Sequence, residues 1–287
     1  MTLFDFHDFA SETPMPADHH NAQSLYCFYS DPYVYYRTYV QEKLEKPPII
    51  ANYISMLYKY LLLKGVDSFD SRFDFHAPVN SSTKKPYAED TQRYAEWAKE
   101  VRREGKLPVH PSDMDKARLT YKHTMEQVED GFVPELAAIL DAGGHAGIQD
   151  VALIDDSRCY AHVDYLTNTG TVCKVALVSS LDRFMEYDQL RQELVFKLAY
   201  DNLVLSKSTR PYTLFPPAKL IVAEYNAPFR VTTTSVDTGG QLETFITEVI
   251  QRLNQNFNTT GTNSQWASKY ASLNDLFSDF ALAPHAA

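Results

Sequence analysis

The chain has 287 residues, of which 27 are Lys or Arg and 37 are Asp or Glu, giving a formal net charge of -10. That length fits one large domain or one domain with an arm. The acidic balance disfavours a simple phosphate-binding surface but allows a local basic channel.

Three cysteines without CxxC spacing (Cys27, Cys159 and Cys173) read as reduced thiols. The longest apolar run, Ile49 to Leu63, is interrupted by Asn52, Ser55 and Lys59, and the first residues lack a basic n-region. A soluble, cytoplasmic protein with no membrane partner is expected. With 19 Tyr and 16 Phe, the core and surface should be rich in large amphipathic rings.

Residues 1–24 are polar and aperiodic and read as a flexible arm, in which His19 and His20 are solvated rather than metal-bound. Ser30 or Asp31, followed by Pro32, caps a helix running to about Leu44. A second helix over about Ile50 to Leu63 is apolar on most faces and therefore central, and Gly65 ends it. Phe69 to His76 alternates apolar and polar residues as a strand does.

Further helices are expected at Ala88 to Arg103, from Ser112, and at Pro134 to Ala142, where Gly143-Gly144 stops the last. Strands follow at 149–155, 158–166 and 171–178, then one long helix from Leu181 to Leu205. Strands at Ala218 to Tyr225 and Phe229 to Val236 and a helix at Gly240 to Asn254 complete the pattern. The order implies a mixed α/β fold. It would comprise an arm (1–24), a single domain (25–255, helical over 25–142 and sheet-bearing over 143–255) and a tail (256–287).

No glycine-rich phosphate loop, HExxH or GxSxG is present. Strand, turn, strand and helix over residues 161–200, with Asp164 on the first strand, resemble the core of PD-(D/E)XK nucleases. The likeness is closer to the RecE branch (exodeoxyribonuclease VIII and lambda exonuclease-like). It is carried by Asp31-Pro32, Lys46-Pro47-Pro48, Phe73-Asp74-Phe75, Ser82-Thr83-Lys84, Val163-Asp164-Tyr165-Leu166, Ser180-Leu181-Asp182-Arg183-Phe184 and Gln192. That resemblance implies a central mixed sheet flanked by helices, an N-terminal helical part and self-association.

The family's chemistry needs Mg²⁺ held by oxygen ligands, with a lysine nearby. Read against its pattern, Tyr58 stands where a His is expected and Gly147 where a Glu is. The D/E-x-K tripeptide becomes Lys174-Val175-Ala176, a cation in place of a ligand and a methyl in place of the lysine. Only Asp164 is kept, so no catalytic residue, metal or other cofactor is expected.

The reading that follows is a catalytically silent, possible phage-encoded protein acting by binding. Its partner would be a protein of DNA processing or nuclease-based defence. An alternative keeps Mg²⁺-dependent exonuclease activity through Asp164, Glu193 and Lys197, the last two being otherwise an i,i+4 surface pair. Gln192 reads as a helix hydrogen-bonding residue and Asp155-Asp156 as a hairpin turn. Lys84, Lys85, Arg102 and Arg103 are candidate nucleic-acid contacts or solvated charge, which leaves DNA binding open.

Overall fold

The computed structural model describes residues 19–41, 53–186 and 188–258. Its frame is a six-stranded mixed sheet, and the hairpin of β4 (Gly144–Ile154) and β5 (Ser157–Thr167) is the longest part of it. Asp155 and Asp156 turn the hairpin with φ of 48° and 64°, the left-handed pair that a tight two-residue connection needs and that Asp tolerates.

Gly170 turns β5 into β6 (Val172–Val178) at φ 87°. A Cβ on Gly170 would run into the Thr213 carbonyl. Strand β6 then pairs in parallel with β7 (Ala218–Glu224), which pairs antiparallel with β8 (Val231–Val236). A parallel pair needs a long crossover. Here it runs through α8 (Leu181–Glu186) and α9 (Asp188–Lys207).

Strand β5 carries three neighbours. β4 follows one edge along its whole length, while β1 (His19–Asn21) pairs in parallel with residues 158–160 and β6 pairs with residues 165–166. Since β4 occupies one edge, β1 and β6 must share the other.

Helices cover both faces. On one, α1 (Ala22–Ser30), α9 and α10 (Gly240–Asn258) bury Phe28, Phe196, Leu198 and Ile250 against the sheet. On the other, α3 (Tyr53–Lys64), α6 (Pro111–Glu129) and α7 (Pro134–Asp141) pack over Val175, Ile221 and Ala223. Between α1 and α3 lie the short α2 (Pro32–Tyr35), capped by the Asp31 side chain, and a π-helical turn at Tyr36–Val40.

Outside α3, the short helix α4 (Val66–Arg72), β2 (Phe73–Asp74), α5 (Gln92–Arg103) and β3 (Leu107–Pro108) build a satellite layer. Its core is Phe69, Phe73, Tyr60, Leu107 and Met114. The expected mixed α/β architecture, a central mixed sheet flanked by helices, is the one observed.

Several expectations are corrected. Residues 19–24 are not arm: they form β1 and the start of α1, and Tyr200 donates a 2.6 Å hydrogen bond to the His20 carbonyl. Residues 66–72 are helical, and only Phe73 and Asp74 are strand. Phe69 and Phe73 lie four apart, a spacing that satisfies both periodicities. Strand β4 begins at Gly144 rather than 149, and the described parts of the expected long helix, Leu181–Glu186 and Asp188–Lys207, are both helical. Helix α10 extends to Asn258, past the expected tail boundary. Lys46-Pro47-Pro48 and the start of the helix expected from Ile50 lie outside the described residues. No described helix is long and apolar enough to cross a membrane.

A Gly170→Ala variant should lose at least about 2 kcal/mol of stability in urea denaturation, combining a left-handed backbone with overlap at a carbonyl.

Candidate functional site

Strands β5 and β6 part after the Tyr165–Cys173 pair, and β1 lies alongside β5 only at residues 158–160. The sheet therefore forks. In the fork lies a cleft of about 210 Å³, floored by His162, Asp164 and Lys174 and walled by α9 and the start of α1.

Asp164 bridges the parting strands. Its Oδ2 accepts the Val175 N–H at 2.8 Å, taking up a main-chain donor close to where β6 leaves the ladder. Both its oxygens also face the Lys59 ammonium of α3, each at 3.0 Å. Asp164 is 2% exposed, so it contributes to the floor of the cleft while almost wholly covered. On the α9 side, Asp201 Oδ2 accepts a 2.6 Å bond from the Lys174 ammonium and Oδ1 accepts the His162 N–H at 3.3 Å. Two buried carboxylates are thus each matched to a lysine.

The proton affinities follow from this pairing. Burial works against the Asp164 charge, yet Lys59 and Lys174 hold its carboxyl below the usual range. Burial pulls the Lys59 ammonium down; Asp164 opposes this, while Lys174 and Lys197 add to it. Burial also opposes the Lys174 charge, but Asp201 and Asp164 outweigh it and hold its pKa up. Burial pushes the Asp201 carboxyl up, against the pull of Lys174. The 2.6 Å contact is that of a charge-assisted pair.

Gly147 falls opposite Asp164 in the hairpin, because Ala146 pairs with Tyr165 and Ile148 with Val163. Its φ of 70° suits glycine, and it offers no side-chain donor to the cleft. Ala176 lines the cleft with a methyl group. Tyr58 does not face the cleft at all: fully buried, it hydrogen-bonds Thr124 of α6 at 3.0 Å, and burial raises its phenol pKa. One residue along α3 turns the side chain by roughly 100°, and it is Ser55 and Lys59, four apart, that reach the cleft.

On α9 the cleft-facing residues are Leu190, Leu194, Lys197 and Asp201. Gln192 is buried but does not line the cleft. Glu193 does not line it either, although it holds Lys197 at 2.6 Å. Asp155 and Asp156 form the hairpin turn, and Asp182 is bound by Arg230 at 2.9 Å. Lys84 and Lys85 end a surface turn held by Asn80, and Arg102 and Arg103 close α5; none of the four lines the cleft.

No protein-family model matches the chain. No curated protein sequence matches it either. Among solved structures, a crystal structure from Eubacterium rectale described as a "putative exonuclease" is similar over 91% of this chain and 93% of its own. The TM-score is 0.44 and the sequence identity 11%.

A divalent ion does not fit the donor set of the fork. Such an ion needs several oxygen ligands, and here the Asp164 carboxylate is spanned by an ammonium with a second lysine beside it. Among the described residues no three His, Cys, Asp or Glu side chains gather as a metal-ligand group. Sequence reasoning missed Lys59 and Asp201. The signal for the first was the Ser55/Lys59 polar stripe in an apolar helix. For the second it was a lone carboxylate in the apolar run Leu198 to Leu205.

Removing Lys59 leaves a buried carboxylate short of its main cation. Lys59→Met should cost about 3 kcal/mol or more in urea denaturation. Adding Asp164→Asn should recover part of that loss, with a coupling energy above about 1 kcal/mol; additive effects would show the pair to be uncoupled.

Asp164 also sets an acid limb. Its folded pKa lies below its unfolded value of about 3.9. Its contribution is therefore complete above that pH and is lost as pH falls through the folded value. Stability measured between pH 6 and pH 2 should fall less steeply in Asp164→Asn than in the natural chain.

Proposed function

We propose that the chain has a RecE-like nuclease fold whose core no longer assembles a metal site, and that it acts by binding. The observation that carries this reading is the Lys59 ammonium, placed against both oxygens of Asp164 at 3.0 Å. In a metal-dependent nuclease that carboxylate would ligate Mg²⁺. Lys174 beside it and the bare Gly147 opposite it support the same conclusion, since neither supplies a ligand.

The strand, turn, strand and helix around Asp164 support the family resemblance. The likeness is one of layout: β5, β6 and α9 stand in the order the nuclease core requires. By that resemblance the partner class is a protein of DNA processing or of nuclease-based defence, and self-association belongs to the same proposal.

Digestion of linear duplex DNA with Mg²⁺ or Mn²⁺ tests the reading. No metal-dependent cutting is expected, and cutting that disappears in Asp164→Ala would overturn it. The converse experiment rebuilds the ligand set. Lys59→Ala with Lys174→Glu removes one cation and turns another into a carboxylate beside Asp164, so this variant should bind Mn²⁺ at least about tenfold more tightly than the natural chain by titration calorimetry.

A further inference from the structure

The fork is layered by charge. Asp164 and Asp201 lie beneath it at 2% and 3% exposure, while the lysines that cover them remain 14% (Lys59), 13% (Lys174) and 15% (Lys197) exposed. Both carboxylates line the cleft and are paired to these lysines, but the ammonium groups are the more exposed partners, so a ligand entering it meets chiefly them. These three cations are close enough to act on one another, since Lys174 and Lys197 both weaken the proton hold of Lys59. Like charges gathered around a low-dielectric cleft repel, and a bound anion relieves that repulsion.

A second feature points the same way. Helix α1 opens at the rim of the cleft, with Asn21, Ala22 and Gln23 lining it. Its first turn contains no acidic residue to offset the positive end of the helix dipole. The Asn21 carboxamide oxygen caps the Ser24 N–H at 2.7 Å, so that donor is taken and it is the helix dipole that acts on the cleft. The cleft, at about 210 Å³, is below the roughly 300 Å³ at which drug-sized ligands begin. It suits a single phosphoryl group with little attached.

We propose that this cleft is a metal-independent phosphoryl-binding site, in which Lys59, Lys174 and Lys197 grip the oxyanion and the end of α1 faces it. This rests on Lys59 filling the place of a metal, so the ammonium is a resident cation rather than a defect. Glu193 restrains the site: it holds Lys197 at 2.6 Å and competes with an incoming oxyanion for that ammonium.

The test is calorimetric and fluorescence titration of the full chain in excess EDTA, with inorganic phosphate, a nucleoside monophosphate and a single-stranded oligonucleotide as separate probes. Saturable phosphate binding is expected to weaken about tenfold in Lys197→Ala, the loss of one charge-assisted contact. It should strengthen several-fold in Glu193→Gln, which frees that lysine. Circular dichroism and urea denaturation establish that both variants fold.

Tighter binding of the monophosphate than of the oligonucleotide assigns a free phosphomonoester as the ligand; the reverse assigns the phosphodiester of a nucleic acid. No saturable binding in EDTA, or affinities unmoved in both folded variants, overturns the proposal. DNA cutting with Mg²⁺ would instead overturn the silent-nuclease reading, so the two failures are told apart.

Discussion

Everything at the centre of this protein depends on how β5 and β6 separate. Two antiparallel strands that part leave backbone donors and acceptors without ladder partners, and a buried, unpaired group is costly. The Asp164 carboxylate answers that need by accepting the Val175 N–H at 2.8 Å. A buried carboxylate then requires a cation, which Lys59 supplies from α3. One backbone geometry therefore brings an acid into the core and a base in after it.

The same logic extends across the cleft. Lys174 leaves β6 toward α9 and is met by Asp201, which also takes the His162 N–H. Pairs of this kind add little net stability compared with apolar packing, but removing one partner is severe. They also fix geometry, because α3, β5, β6 and α9 are each tied to the fork by a charged side chain. Away from it, Arg230 performs a similar task for Glu224 and Asp182 where α8, β7 and β8 meet.

Much of this was legible in the chain. The strands around Asp164 and at 218–224 announce themselves through β-branched residues and a glycine at the turn, and Lys174 reads as a cation where a ligand would stand. Other features were hidden for definable reasons. Three residues of β1 are too few to show a period. Tyr58 and Lys59 are sequence neighbours, yet they face α6 and the cleft respectively. A linear motif cannot say which side of a helix meets the sheet. Asp201 is a charged residue whose partner lies 27 positions away on another element, and that pairing appears only once α9 lies across the sheet.

Strand β1 gives the fold an order of assembly. It is the earliest described segment of the chain, but its hydrogen-bonding partner, residues 158–160, lies about half the chain away, and the Tyr200 contact to His20 spans 180 positions. Closing so long a loop is slow, so this edge is expected to seal late in folding. Until it does, one side of β5 is an open strand edge, the kind of surface on which a second chain can pair. Residues 19–21 thus serve as a seal on the sheet: a version of the protein beginning at residue 25 would keep both members of the β4–β5 hairpin yet leave that edge open to self-pairing.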